Sequence, residues 1–143
     1  MYVDYEYYTI KYNGMLVSST LFESYELRAR SIMNNHTRKI DKTIELLDNP
    51  TVSDNIKLCM CELIDNLFRT GELIKKSTQA DVSFALGITS ESVKDHSVSF
   101  DSKSLKSNEI KAQSQNENYN LMNNYLGITG LLNRGLSWCT IKQ

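Results

Sequence analysis

The side chains best suited to chemistry in this sequence are two histidines and three cysteines. His36 and His96 lie sixty residues apart, and neither has cysteines or acidic residues around it at the spacing of metal ligands. Cys59 and Cys61 fall within one predicted helix and lack a second pair, which favours packed thiols over a zinc or redox site. Cys139 makes the cysteine count odd, which also favours free thiols. We therefore expect no metal site and no cofactor.

Serines and glycines raise two further possibilities, and both lack their supporting pattern. The serine-rich segment 90–99 contains no Gly-x-Ser-x-Gly turn, and exposed strand faces are often rich in serine. Gly127, Gly130 and Gly135 do not have the spacing of a phosphate-binding loop, and no predicted strand precedes them. Because no acid, base and nucleophile can be assembled from these residues, we do not expect an enzyme.

Composition narrows the class of protein. The chain has 143 residues, enough for one domain (1–143) with a modest core. Its 16 basic and 17 acidic residues give a net charge of −1, whereas tight binding to phosphates usually requires a basic excess. No apolar run approaches the roughly 20 residues that span a bilayer. We expect a soluble protein without a membrane partner.

The longest hydrophobic pattern, residues 51–76, predicts the central helix of the fold. Its apolar residues recur at steps of three and four, which places them on one face, with Asp65 and Arg69 paired on the other. Pro50 ends whatever precedes this helix, and Gly71 could interrupt it. Other elements must cover the buried stripe, which is predicted to comprise Ile56, Cys59, Met60, Leu63, Ile64, Leu67 and Phe68.

Tyrosines crowd the N-terminal segment, residues 1–19. Their alternation and the turn signal Asn13-Gly14 predict an extended arm, either a hairpin or an arm with a turn. A row of tyrosines can stack on nucleobases, but Lys and Arg do not accompany it here. We therefore favour rings that pack on the helical core.

Two further helical regions flank the central helix. The first, within 20–76, begins at Thr20 and runs for about fifteen residues, with a short amphipathic piece at 40–47 after it. A third long helix is predicted at 106–126. It is strongly apolar only in its C-terminal half, and its polar first half would face solvent or a lumen.

The remaining segments are a predicted β-hairpin and a tail. Alternation at 82–100 is typical of two strands, and a lone hairpin needs a partner surface because it is only marginally stable in water. The apolar tail, 127–143, either packs on this chain or docks into another protein. The predicted fold class is mainly α: a small bundle of three to four helices with an extended N-terminal arm, a β-hairpin between the second and third long helices, and an extended C-terminal tail.

Several stretches resemble, in the same order, the head-tail connector (adaptor) family of tailed bacteriophages and prophages. ITSESVKDHSVSF at 88–100 is similar to that family's common S-E-S-V-G-D-Y-S-V-S-Y, with Lys94 and His96 in place of its glycine and tyrosine. YLGITGLLNRG at 125–135 resembles its L-G-x-T-G-L-L ending. The resemblance also includes the tyrosine-rich N-terminus with Gly14, F-E-x-Y-E-x-R-A at Phe22 to Ala29, Thr37, and C-E-L-I-D at Cys61 to Asp65.

The resemblance implies a virion protein, made in the bacterial host cytoplasm, that forms a twelvefold ring beneath the portal protein. The ring would also bind a neck, stopper or tail-completion protein, and DNA would pass through its channel without sequence-specific binding. Contacts in a cyclic ring are heterologous, so each copy must present two different complementary faces. We expect these contacts to involve the hairpin and the tail, through Ile88, Val93, His96, Val98, Phe100, Leu131, Leu132, Arg134, Leu136 and Trp138.

Two alternatives stay open at this point. Lys103, Lys106 and Lys111, around the start of the third helix, form either a solvated face or part of the channel lining. For the chain as a whole, the competing hypothesis is a small helical nucleic-acid-binding protein of phage packaging or regulation. That protein would bind DNA in a salt-dependent manner through a recognition helix.

Overall fold

The structure, a computed structural model, describes residues 1–37, 50–85 and 107–132, with side chains at 1–37, 50–78 and 107–132. In this part of the chain, three long helices follow a short helical turn. The elements are a π-helical turn (Tyr7–Lys11), α1 (Ser19–His36), α2 (Pro50–Ala85) and α3 (Ser107–Leu126). The mainly α class is confirmed. Because α2 packs against both α1 and α3, it is the central element, as predicted.

The apolar stripe of α2 forms the centre of the core. Helix α2 passes through Gly71 without a break, because a single glycine costs only about 1 kcal/mol relative to alanine within a helix of 36 residues. The predicted stripe is confirmed: its first five residues are fully buried and the last two partly buried, namely Ile56, Cys59, Met60, Leu63, Ile64, Leu67 and Phe68.

Helix α1 begins with a hydrophobic staple. Ser18 is its N-cap residue and Ser19 its first residue, so the predicted start at Thr20 is one residue late. Val17, just before the cap, and Phe22, in the first turn, are both 2% exposed and belong to the same core cluster. The buried face of α1 consists of Phe22, Glu26, Ala29 and Met33.

The prediction of an extended N-terminal arm is wrong. Residues 7–11 form a π-helical turn, in which the Tyr12 amide donates to the Tyr7 carbonyl at 3.1 Å. This wider turn places the rings of Tyr8 and Tyr12 on one side, 5.7 Å apart. A strand also places residues separated by four on one side, which is why the same spacing suggested an extended arm. Tyr8 is fully buried, so the preferred interpretation, rings packed on the core, is confirmed.

The predicted β-hairpin at 82–100 is not supported. Residues 82–85 are the last residues of α2, and 86–100 lie outside the described residues, as does the amphipathic piece at 40–47. Extending an existing helix adds one hydrogen bond per residue, whereas a new strand must first find a partner, so four alternating residues do not end a helix. Within the described ranges, extended pairing is confined to one antiparallel bridge between Thr37 and Leu132.

Helix α3 matches its predicted range to within one residue. Its buried residues recur every four positions, so the polar first half also has a face against the protein. A turn at 127–130, in which Gly130 has a φ of 74°, then leads to Leu132. The buried residues of α3 are Ile110, Ser114, Asn118, Met122 and Leu126.

Candidate functional site

Asp65 holds the N-terminal segment against α2. Its carboxylate accepts hydrogen bonds from the hydroxyls of Tyr8, at 2.6 Å, and Tyr12, at 3.2 Å. The Tyr8 hydroxyl in turn accepts one from the Val17 amide at 3.3 Å. Asp65 lies opposite the apolar stripe of α2, as predicted, but it is only 7% exposed because the N-terminal segment covers that face. The two tyrosine hydroxyls satisfy a carboxylate that burial would otherwise destabilise.

Burial and negative charge raise the pKa of both tyrosines. Loss of solvent, followed by the hydrogen bond to Asp65, raises the pKa of Tyr8 to about 12. The pKa of Tyr12 is also raised, by burial and then by the charges of Asp65 and Glu62. Both hydroxyls therefore keep their protons, and remain donors, throughout the neutral pH range.

A second buried carboxylate fixes the start of the chain. The Tyr2 amide donates to Glu26 Oε1 at 2.9 Å, and Glu26 is 1% exposed. Its other oxygen lies 3.4 Å from Nη2 of Arg30. At the far end of the segment, a Cβ on Gly14 would come within 2.3 Å of the Tyr8 ring, so the ring occupies the space that any side chain there would need.

Two polar pairs join α2 to the first half of α3. Asn66 Nδ2 donates to Asn118 Oδ1 at 2.8 Å, and the Thr70 hydroxyl donates to that of Ser114 at 2.9 Å. Both helices advance by four residues between the two pairs, in opposite directions, so the pairs follow an antiparallel interface. We call these four residues the polar seam. Ser114 and Asn118 are 6% and 5% exposed, and each has its partner, as buried polar groups require.

Two open clefts border the polar seam. The larger, of about 570 Å³, lies between α2 and α3 and contains Leu73, which is 54% exposed, beside Ile110. The smaller, of about 400 Å³, lies between Tyr12 and the two helices, with Glu62 and Glu117 among its polar lining residues. Across the part of the chain that is described, no group of three or more His, Cys, Asp or Glu residues could hold a metal ion.

Some large apolar side chains point into solvent. Ile128, in the turn after α3, is 94% exposed, and Met15, in the N-terminal segment, is 82% exposed. Leu27 on α1 is 59% exposed. Single exposed apolar residues are common, but Ile128 lies inside the tail motif for which partner contacts are predicted.

The predicted interface residues that can be located pack inward. Leu132 is 8% exposed and, with the partly buried Leu131, packs on this chain's own core. The start of the tail therefore packs on its own chain, which is the first of the two alternatives predicted for it. Lys111 is exposed on α3. The other predicted interface and channel residues lie outside the described residues: Ile88, Val93, His96, Val98, Phe100, Lys103, Lys106, Arg134, Leu136 and Trp138.

Cys59 and Cys61 are free and buried, as their packing interpretation predicted. Burial is the main cause that raises the pKa of each thiol to about 12. Thiols with so little thiolate at neutral pH are poor nucleophiles and poor metal ligands. Cys139 lies outside the described residues.

The buried polar residues were not recognised from the sequence. Asp65 has no pattern that distinguishes it from surface acids. Glu26 does have one, because it lies four residues after Phe22 and three before Ala29 on the buried face of α1. Ser114 and Asn118 do have one, since they continue the four-residue step of Ile110, Met122 and Leu126. That spacing could have revealed the polar seam on the α3 side.

Comparison with known proteins gives no assignment, because no protein-family model, curated protein or solved structure matches the chain. No helix within the described residues is long and apolar enough to cross a membrane.

Proposed function

We propose that this chain is a structural head-tail connector: a subunit that forms a ring beneath the portal of a phage or phage-like particle, joins the capsid to the neck and lets DNA pass. The observation that carries the proposal is that, of the six stretches resembling the connector family, each of the five that the structure describes contacts another of them in the fold.

Two of these contacts involve the central motif C-E-L-I-D. Asp65, its last residue, accepts the hydroxyl of Tyr8 from the tyrosine-rich N-terminus, and the Tyr8 ring fills the space above Gly14. Glu62 accepts the hydroxyl of Tyr125, the first residue of the tail motif, at 2.7 Å. The N-terminal, central and tail stretches therefore meet on one helix.

The remaining stretches join the same set. Glu26, within F-E-x-Y-E-x-R-A, accepts the Tyr2 amide, and Thr37 pairs with Leu132 of the tail motif. Five of the six resembling stretches therefore have a role in the folding of one subunit. Ile128, exposed in the tail motif, is then a candidate for contact with a neighbouring protein.

The test is to produce the chain alone and together with the portal protein of the same genome, and to examine both preparations by negative-stain electron microscopy and native mass spectrometry. We expect closed rings, alone or on the portal. Ile128→Ser should weaken ring formation or portal binding at least about tenfold, the equivalent of ~1.4 kcal/mol. Met15→Ser, also at a highly exposed position but outside the tail motif, should change it less than twofold.

Monomers in both preparations, together with absence of the chain from purified particles, would reject the connector function. A monomer that binds duplex DNA with a steep dependence on salt concentration would favour the nucleic-acid-binding alternative instead.

A further inference from the structure

The exposed face of α3 is unusually rich in carboxamide side chains. Of its twelve exposed positions, seven are Asn or Gln and only three are charged, namely Glu109, Lys111 and Glu117. Among the ten exposed positions of α1, only Asn35 is a carboxamide. On α2, four of the eight exposed positions with described side chains are charged and none is a carboxamide. The composition therefore distinguishes α3 from the helices it packs with.

Helix stability does not explain this choice. A helix face that meets only water is built most stably from Glu, Lys and Arg, whereas Asn is a weak helix former. Carboxamides offer something different: each has hydrogen-bond donors and an acceptor and carries no charge.

Part of this set points away from the body of the protein, whereas Gln113, Asn120 and Asn124 border the two clefts. Ile110, Ser114 and Asn118 mark the side of α3 that is buried against α2. Asn116 and Asn123, seven residues apart, share the opposite, exposed side.

We propose that this amide face of α3 lines the DNA channel of the assembled ring, an inference that rests on the proposed function. The low net charge of this face is the reason for choosing moving DNA as its partner. Each lysine repeated around a ring would add contacts that retain phosphates through counterion release, and each acid would add repulsion. The three charged residues of the exposed face sum to −1, so the face is hydrophilic while holding the duplex only weakly.

The experiment adds charge to the face and asks whether DNA must thread the ring to reach it. Preassembled rings of the wild type and of Asn116→Lys/Asn123→Lys are mixed with linear duplex DNA and with a covalently closed circle of the same sequence. A closed circle cannot enter a preformed channel. We expect the double variant to bind linear DNA at least about tenfold more tightly than the wild type does, with a steeper salt dependence, and to bind the circle no more tightly than the wild type.

A matched control places the same two charges on α1. Ser24 and Ser31 are exposed and also seven residues apart, so Ser24→Lys/Ser31→Lys should affect linear and circular DNA equally.

Equal binding of both DNA forms by the α3 variant, or no gain on linear DNA, would overturn the inference and leave the ring itself intact. If the α3 double variant does not assemble, the two single variants are tested. Failure of those as well, while the α1 variant assembles, would assign the face to subunit contacts and also overturn the inference. Absence of rings in the wild type would count against the proposed function.

Discussion

At the scale of single residues, buried carboxylates and tyrosine hydroxyls stabilise the N-terminal segment. Asp65 and Glu26 are each more than nine-tenths buried, and each accepts a hydrogen bond from the first eight residues of the chain. Removing a donor from such a charged acceptor leaves a poorly solvated charge, which costs more than the hydrogen bond alone contributes. The segment is therefore an integral part of the fold.

Tyr8→Phe tests this arrangement with the smallest available change. The variant loses the donor to Asp65 and the acceptor for Val17, so we expect the free energy of unfolding in urea to fall by about 1.5–3 kcal/mol. Tyr5→Phe is the control, because the Tyr5 ring is 37% exposed, and it should change stability by no more than about 0.5 kcal/mol. Equal losses in the two variants would contradict the role assigned to Asp65.

Stability should fall in alkaline solution. The pKa of Tyr8 is raised from 10.0 to about 12 in the folded chain, and those of Cys59 and Cys61 from 9.0 to about 12. A raised pKa means that the folded state favours the protonated form. The stability from these groups is therefore complete below their unfolded pKa values and is lost as pH rises from about 9 towards 12.

Urea unfolding at a series of pH values, with tyrosinate absorbance recorded in parallel, measures this loss. Tyr8→Phe should show a shallower decline than the wild type above about pH 10, because one of the titrating groups is gone. An unfolding free energy that stays constant up to about pH 11 would contradict the prediction.

At the scale of elements, long periodic helices were predictable and the contacts between them were not. The positions of α2 and α3 follow from apolar spacing, which repeats over several turns and tolerates local exceptions such as Gly71. The π-helical turn was missed because alternating tyrosines within a few residues fit a strand equally well. The polar seam was missed because its energy depends on a partner helix more than forty residues away along the chain.

Two glycine substitutions should have opposite effects. Gly71→Ala places a methyl group 3.4 Å from the Tyr25 hydroxyl, an ordinary contact, and removes a weak helix former, so we expect a gain of about 0.5–1 kcal/mol. Gly14→Ala forces a methyl group into the buried Tyr8 ring and should cost about 2–3 kcal/mol. Thermal unfolding followed by circular dichroism measures both changes. A loss in the first variant or a gain in the second would show that the packing around that glycine is described incorrectly.

The polar seam can be tested on α3 with two neighbouring asparagines. Asn118→Ala removes the acceptor for Asn66 and should lower the free energy of unfolding by about 1–2 kcal/mol. Asn116→Ala, on the exposed face of the same helix, should be neutral or raise it by up to about 0.5 kcal/mol, since Ala is the better helix former. Chemical denaturation of the two variants side by side gives the comparison. Similar values would mean that the seam does not hold α3 in place.

At the scale of the whole molecule, the tail belongs to the fold at its start. Leu132 packs in the core and bridges to Thr37, so a chain ending at residue 132 keeps these contacts and should fold. A chain ending at residue 127 loses Leu132 and should be less stable by about 1.5–3 kcal/mol. Both truncations should weaken ring assembly if the proposed function is correct. Unfolding of the longer truncated chain would show that residues 133–143 are also needed for folding.

The long-range contacts of this fold can form only in a fixed order while the chain is being synthesised. Tyr8 and its acceptor Asp65 are 57 residues apart, so at about 5–20 residues per second the tyrosine leaves the ribosome roughly 3–11 seconds before its partner does. The contact between Glu62 and Tyr125 forms later still, because Tyr125 follows Glu62 by 63 residues. Until α2 has emerged, Tyr8 lacks the carboxylate that accepts its hydroxyl, and any chaperone that attends the nascent polypeptide would meet the segment during that interval.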